Sequence, residues 1–224
     1  MNVAVRRESR SQRAYSQLRR KILMGEFRPG QRIQEERLAE MLGISRTPVR
    51  DALRHLQRDG LVQLAGHGGA TITPLKASEL EDLYQVRAVL ESLAARLAAE
   101  RATAGHVTAM KEALQKAQEA WERGDKIAVL EANSTLHDTI YAAAGSRHLR
   151  DVLESVRAPL LLFRAIINYA PGEYDRILAE HHLLVGRIEA HDPDGAERAM
   201  REHMASDRER VRPALAQWKD GAAD

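Results

Sequence analysis

In the first 60 residues, apolar side chains recur three and four positions apart in three short runs. The runs are Tyr15, Leu18 and Ile22; Leu38, Ala39 and Leu42; and Val49, Ala52, Leu53 and Leu56. This spacing places each run on one face of a helix, so we predict helices over 11–25, over 34–42 and within 43–60. The segment GEFRPG breaks the first pattern, and Gly43 follows the second helix, where a left-handed residue is expected.

The third helix has two different faces. Opposite its apolar run, arginine repeats every fourth position, at Arg46, Arg50, Arg54 and Arg58. Ser45 is placed to cap the start of the helix, and Pro48 falls in the first turn, where a missing N–H costs least. We therefore predict a short helix with a fixed start, one buried face and one basic face.

Beyond this helix the pattern changes twice. Residues 61–73, LVQLAGHGGATIT, combine short β-prone pieces with a glycine-rich tip, which predicts a two-stranded hairpin. From Lys76 onward only long helical patterns follow. The predicted helices lie near 77–102, 105–122, 125–143, 147–169, 173–190 and 194–212, with Asp192 and Pro193 at the start of the last one.

These elements predict a mainly α fold with two domains. The first, residues 1–75, has three helices plus a small β-hairpin, and the second, residues 76–224, is an all-α helical bundle.

Composition limits the possible chemistry. The 224 residues are 44% hydrophobic and 29% charged and contain no cysteine, which excludes disulfides, thiolate metal sites and a cysteine nucleophile. No apolar run approaches the ~20 residues that a membrane helix needs, and the N-terminus shows no secretion signal. We therefore expect a cytoplasmic protein with no membrane partner.

Charge is divided unevenly along the chain. Residues 1–75 hold 14 Lys and Arg against 7 Asp and Glu, whereas residues 76–224 hold 20 against 25. A basic unit that carries two short helices joined by a tight glycine turn is typical of a helix-turn-helix, whose second helix enters the major groove of DNA. In that arrangement Arg46, Thr47 and Arg50 face base edges.

Other residues of this unit have a subordinate part in DNA binding. Arg54 and Arg58 lie farther along the helix and meet phosphates or water. The hairpin would form a wing, whose small residues approach the minor groove and whose tip offers His67. The alternative interpretation is that the arginine face is only solvated; the glycine turn, the helix start, the hairpin and the charge excess argue against it.

Three predicted helices of the second half each turn a histidine toward their apolar side. Asn133 and His137 lie one turn apart on the first of them, and His181 and His203 lie in apolar stripes on the other two. If these faces meet, three imidazoles and one amide oxygen suit a divalent metal such as zinc, nickel, manganese or iron. The pattern equally fits three hydrogen-bonded core histidines, and it does not distinguish His181 from His182.

The first half resembles a known family. LAEMLGISRTPVRDALRHLQRDGLVQLAGHGGATIT resembles the winged helix-turn-helix of GntR-type bacterial transcription regulators, and GEFRPGQRI is similar to the segment that links their first two helices. Gln34 departs from the family pattern, in which a stronger N-cap is common, so we expect a slightly weaker start of the second helix. The DNA contacts that the resemblance implies are Arg37, Arg46, Thr47, Arg50, His67 and Gly68.

The second half resembles the FCD effector domain of one GntR subgroup. The similar segments are DLYQVRAVLESLAARLAA, NSTLHDTIYAAAGS and AEHHLLVGRIEAHDPDGAERAMREHM. The metal ligands that this resemblance implies are Asn133, His137, His181 and His203. Asn133 replaces the commoner Asp and removes one negative charge, which bears on metal affinity and identity; zinc is the first choice of metal.

Arg87 corresponds to an arginine near the start of the FCD domain. The resemblance implies that it binds the carboxylate of an effector, whereas the simpler alternative is an ion pair with Glu91 on a solvated helix face. Tyr84, Asn168 and Tyr169 are additional candidates for pocket residues.

Together these features predict a transcription repressor that is not an enzyme. A homodimer would read a pseudo-palindromic double-stranded DNA operator, and a small carboxylate effector bound at the metal would control operator affinity. Three alternatives remain: the metal itself is the signal, the metal is structural, or the histidines form a metalloenzyme site, which would need a general base that the sequence does not identify.

Overall fold

The computed structural model describes residues 9–66, 68–74, 77–156, 162 and 172–217. These residues form two compact units, one before and one after residues 75–76. The elements of the first unit are α1 (Arg10–Leu23), β1 (Arg32–Gln34), α2 (Glu35–Leu42), α3 (Arg46–Arg58), β2 (Val62–Ala65) and β3 (Gly69–Ile72). Those of the second are α4 (Ala77–Arg101), α5 (Ala104–Glu122), α6 (Lys126–Ala144), α7 (Arg147–Ser155), α8 (Glu173–Glu189) and α9 (Pro193–Gln217).

Helix α3 forms the centre of the first unit. All four residues of its predicted apolar run are fully buried, and α1, α2 and β2 pack around the helix. Gly43 adopts φ 64° immediately after α2, so the chain reverses there as the helix-turn-helix pattern requires. The predicted apolar face of α3 is therefore the face that holds the unit together.

The β-structure differs from the predicted hairpin. Three antiparallel strands are present, in the order β1-β3-β2, and β1 pairs with β3 through Arg32↔Thr71, Ile33↔Ala70 and Gln34↔Gly69. Only the central residue of β1 is buried. A three-residue strand is too short to produce a visible alternation, and its partner is distant in the sequence, so the prediction missed it.

Two predicted helix starts also need correction. Ser45 occupies the N-cap position of α3, but its side chain makes no capping hydrogen bond with the described residues. Helix α5 begins at Ala104, one residue before the predicted range of 105–122. The Thr103 hydroxyl accepts a hydrogen bond from the His106 N–H, and the Thr103 N–H donates to His106 Nδ1. This is a capping box in which histidine replaces the usual Glu or Gln.

In the second unit, α4 is the helix that packs against α6, α7, α8 and α9. Ala94, Ala95, Ala98 and Ala99 are buried along it, and such small side chains allow neighbouring helices to approach closely. At the start of α9, Asp192 accepts a hydrogen bond from the Gly195 N–H at 2.9 Å and Pro193 is the first helical residue, as predicted. Of the predicted helix over 147–169, only 147–156 and Leu162 are among the described residues.

The β1–β3 pairing generates a test with glycine substitutions. A Cβ at Gly69 would lie 2.5 Å from the Ile33 carbonyl oxygen, whereas a Cβ at Gly66 would meet nothing within 4 Å. We expect Gly69→Ala to lower the free energy of unfolding of the first unit by about 1–3 kcal/mol through this overlap, and Gly66→Ala to leave it nearly unchanged.

Urea denaturation followed by far-UV circular dichroism measures the effect. Both tryptophans, Trp121 and Trp218, lie in the second half of the chain, so fluorescence should report the same second-unit transition in all three proteins. Equal stability of the two variants by circular dichroism would contradict the close approach at Gly69.

Candidate DNA-reading surface and metal centre

Helices α2 and α3 present the predicted DNA-reading side chains at the surface of the first unit. Arg46, Thr47 and Arg50 are exposed along the first turns of α3, and Arg37 is exposed on α2. The Ile44 N–H donates to the Ala39 carbonyl at 3.1 Å, which fixes the turn between the helices. The structure therefore brings three of the predicted contacts together at the N-terminal end of α3, where base edges are read in this motif.

The side chain of Arg50 forms an ion pair with the buried carboxylate of Glu35. Its Nε donates to Glu35 Oε1 at 3.1 Å and its Nη2 donates to Glu35 Oε2 at 2.9 Å. Glu35 is only 4% exposed. The guanidinium has five N–H donors, so the contacts with Glu35 do not use the Nη1 group or the second Nη2 hydrogen.

The Glu35–Arg50 ion pair favours the ionised form of the Glu35 carboxyl. The hydrogen bond from Arg50 holds the pKa of the Glu35 carboxyl below its ordinary value, although burial acts in the opposite direction. Arg46 has a more exposed pairing, with Nη1 2.7 Å from Glu36 Oε1. Sequence reasoning missed Glu35 because an acid in the first turn of a helix is ordinarily explained by the helix dipole.

The wing contacts the start of α2. The Glu35 N–H donates to the Gly68 carbonyl at 3.1 Å, and Gly68 has φ 78°, a conformation that favours glycine. A Cβ on Gly68 would lie 3.7 Å from Arg46 Nη2, so this predicted contact residue is adjacent to the reading surface. His67, the other predicted wing residue, lies outside the described residues.

In the second unit, three buried histidines from three helices converge. His137 of α6, His181 of α8 and His203 of α9 each offer a ring nitrogen, and these nitrogens lie within 4.8 Å of one another. His181 Nε2 and His203 Nε2 are 3.1 Å apart. The neighbouring His182 is exposed, so burial agrees with the choice of His181 that the FCD resemblance implies.

Carboxylates surround this His cluster (His137, His181 and His203). His137 Nδ1 lies 2.7 Å from Glu91 Oε2, and His203 Nδ1 lies 2.8 Å from Glu180 Oε2. Burial opposes ionisation of Glu180, but hydrogen bonds from His203 and Arg210 hold its pKa below the ordinary value. Sequence reasoning missed Glu180 and Arg210, since both read as surface charges on amphipathic helices.

The remaining predicted residues of this unit have clear positions. Asn133 is half-buried on α6, one turn before His137. Arg87 pairs with Glu91, but both side chains are buried, at 3% and 0% exposure, so the solvated-face alternative was wrong. Tyr84 is also buried, and its hydroxyl donates to Asp207 Oδ2 at 2.9 Å. Asn168 and Tyr169 lie outside the described residues.

The donor chemistry of the His cluster suits a divalent metal. Neutral imidazole nitrogens are ordinary ligands of zinc and its neighbours, and metal-bound histidines commonly place their second ring nitrogen on a carboxylate. Two of the three histidines have that second contact here.

Comparison with known families accounts for both units. The profile of the bacterial regulatory proteins of the gntR family matches residues 10–72, and that of the FCD domain matches residues 82–206. The chain belongs to the GntR family. It is a DNA-binding transcription regulator with an FCD domain, and the predicted family and fold class are confirmed; the family consists of transcription regulators, which contradicts the metalloenzyme alternative.

Known GntR proteins match nearly the whole chain. The HTH-type transcriptional regulator YdhC of Bacillus subtilis is 31% identical over 209 residues, 92% of each chain. The HTH-type transcriptional repressor RspR of Escherichia coli is 25% identical over 204 residues, 90% of this chain and 89% of its own. The solved structure of Escherichia coli McbR/YncC gives a TM-score of 0.74 at 26% identity, covering 92% of this chain and 98% of that one.

The structure also bears on the membrane prediction for this regulator. Among the helices in the described residues, none is long and apolar enough to cross a bilayer.

The reading surface of the regulator can be tested by comparing two arginines of α3. Arg50→Ala should weaken binding to a DNA fragment selected for tight binding far more than binding to random DNA, because a bidentate arginine–guanine contact gives about 1–3 kcal/mol of discrimination. Arg58→Ala should weaken both by a similar factor and reduce the salt slope by about 1, since a phosphate contact carries no sequence information. Equal losses on both DNAs in the two variants would contradict base reading by Arg50.

The Glu35–Arg50 pair predicts how stability depends on pH. A carboxyl with a lowered native pKa stabilises the fold fully above its unfolded pKa, about 4.3, and loses that contribution as pH falls through the native pKa. The stability advantage of the native protein over Glu35→Gln should therefore shrink as the pH falls from about 5 through the native pKa of Glu35.

Urea unfolding of both proteins across this range measures the difference. Glu40→Gln, on an exposed position of the same helix, is the matched control. A pH-independent difference for Glu35→Gln, or the same pH dependence for Glu40→Gln, would rule out the ion pair as the cause.

Proposed function

We propose that this regulator changes its operator affinity when a small organic acid binds at a divalent metal in the FCD domain. The observation that carries the proposal is the convergence of ring nitrogens of three buried histidines within 4.8 Å of one another in the second unit. Without a metal, the ring nitrogens of three imidazoles would face one another in a buried space. Burying a polar nitrogen costs free energy unless it has a hydrogen-bond partner.

The proposed ligands are His137, His181, His203 and the amide oxygen of Asn133. This neutral set favours zinc, with nickel, manganese or iron as alternatives, since imidazole nitrogen suits all of these metals. Bound there, the metal supplies a positive charge and open coordination positions that attract a carboxylate. The residues of the chain would orient the acid and exclude water around it.

Arg87 is the proposed partner for a second carboxylate oxygen of the effector. It is buried beside Glu91, which also contacts the metal-ligand candidate His137. A guanidinium binds carboxylates in a planar, bidentate manner, so Arg87 would discriminate organic acids from neutral ligands. This supports an effector with at least one carboxylate and a small size, matched to a buried site.

On the DNA side, we propose that a homodimer reads a pseudo-palindromic operator. The proposed contacts are Arg37, Arg46, Thr47, Arg50, His67 and Gly68. In such dimers the two recognition helices meet half-sites one DNA turn apart, ~34 Å, or a multiple of it. Repression is the proposed outcome, supported by the relative RspR, which is named a repressor.

Effector control requires that the acid bind one state of the regulator more tightly than the other. The His cluster joins α6, α8 and α9, and α4 contributes Arg87 and Glu91. A ligand that engages the metal and Arg87 together would bias the relative packing of these helices. We expect the packing of these helices to differ between the operator-bound and the free state of the regulator.

The melting temperature of metal-loaded and metal-stripped protein, measured against a panel of mono-, di- and tricarboxylates, tests the proposal. A binder at 100 times its dissociation constant adds about 2.7 kcal/mol of stability, and this shift should appear only with metal present. His181→Ala should abolish the metal-dependent shift, whereas His182→Ala, at the exposed neighbouring position, should retain it.

Other outcomes would change the proposal in defined ways. If no acid shifts the melting temperature but metal alone changes DNA affinity, the metal is the signal. If the metal stabilises the protein without any effect on DNA binding, it is structural. An acid-dependent shift that persists without metal would separate the effector site from the histidines.

A further inference from the structure

Two histidines of the cluster each share a carboxylate with an arginine. Glu91 contacts His137 Nδ1 with Oε2 and Arg87 Nη2 with Oε1. Glu180 contacts His203 Nδ1 with Oε2 at 2.8 Å, while Arg210 donates to both of its oxygens. The same His–Glu–Arg arrangement therefore occurs twice, on different helices, around the one cluster.

This arrangement determines which nitrogen each ring presents to the centre. An ionised carboxylate only accepts hydrogen bonds, so the Nδ1 atom that faces it must carry the proton. The neutral ring then has its lone pair on Nε2, the form in which a histidine binds metal. The arginine on the other side of each carboxylate favours the ionised form that this tautomer requires.

We propose that Glu91 and Glu180 are the positioning carboxylates of the metal centre, each fixing one histidine with Nε2 toward the metal. Glu91 has a second role, because it joins His137 to Arg87, the arginine proposed to hold the effector. Metal affinity and effector binding are thereby coupled through one buried side chain. The inference rests on the metal centre of the proposed function and adds to it the residues that orient its ligands.

Stability alone is a weak explanation for these contacts. Glu91 is 0% exposed, and a buried ion pair often contributes little net stability once desolvation is counted. An Arg87–Glu91 pair would be complete without the histidine, yet the second oxygen of Glu91 lies 2.7 Å from His137 Nδ1. Glu180 is partly exposed, at 25% of its side chain, so its substitution should have the smaller effect.

Metal titration of four glutamine variants tests the proposal. Full-length protein is stripped of metal and titrated with zinc in competition with a chromophoric chelator. Glu91→Gln and Glu180→Gln should weaken zinc binding by about 10–100-fold, the usual consequence of losing such a contact. Glu100→Gln on α4 and Glu189→Gln on α8 are matched controls, because each breaks one exposed ion pair, and both should bind zinc as the native protein does.

A second measurement uses the native protein, so it does not depend on the folding of a variant. Nitrogen-15 NMR of the zinc-loaded protein should show His137 and His203 protonated at Nδ1 and bound to zinc through Nε2. A purely structural ion pair would not fix this signature. Zinc coordination through Nδ1 of either residue would overturn the role of its carboxylate.

The outcomes separate this inference from the proposed function. If the native protein binds no zinc, nickel, manganese or iron, the metal centre and the role of both glutamates fail together. If it binds zinc and the folded Glu91→Gln and Glu180→Gln variants bind it equally well, the metal centre stands and the positioning role is wrong.

Discussion

The second unit depends on the burial of charge within a helical bundle. Arg87, Glu91 and His137 are all removed from solvent, and each would be costly to bury without a partner. Their mutual contacts meet that requirement only while α4 and α6 keep their present register, and the alanine face of α4 allows the close packing that this register needs. The polar cluster thus specifies how these helices pack, and hydrophobic burial supplies the stability.

The first unit uses a similar device on a smaller scale. Arg50 is an exposed arginine of α3, but the buried carboxylate of Glu35 fixes its guanidinium from one side. Glu35 also belongs to the backbone contact with Gly68 of the wing. Glu35 therefore connects helix α3, the start of α2 and the tip of the wing. It also reduces the conformational entropy that Arg50 would lose on binding a base.

In each unit, a buried glutamate thus holds an arginine for which we predict a binding partner. The predicted partner is a DNA base for Arg50 and a carboxylate for Arg87. An arginine held in this way has fewer orientations to lose on binding, which favours specificity over raw affinity. In the second unit the glutamate extends further, to a histidine of the cluster. This connection gives a physical basis for the proposed response, which depends on a metal and on an organic acid together.

The sequence by itself determined the elements whose signal is local and repeated. Residue type and spacing predicted the apolar run of α3, the glycine turn at Gly43 and the cap at Asp192. Each of them occurs where it was predicted. The motifs likewise identified the family. Only the tertiary structure decided features that join residues far apart in the chain. These are the pairing of β1 with β3 and the contacts of Glu35, Glu91 and Glu180. An acid on an amphipathic helix gives the same pattern whether it faces water or a buried histidine, because periodicity reports a face of one helix and not what packs against it.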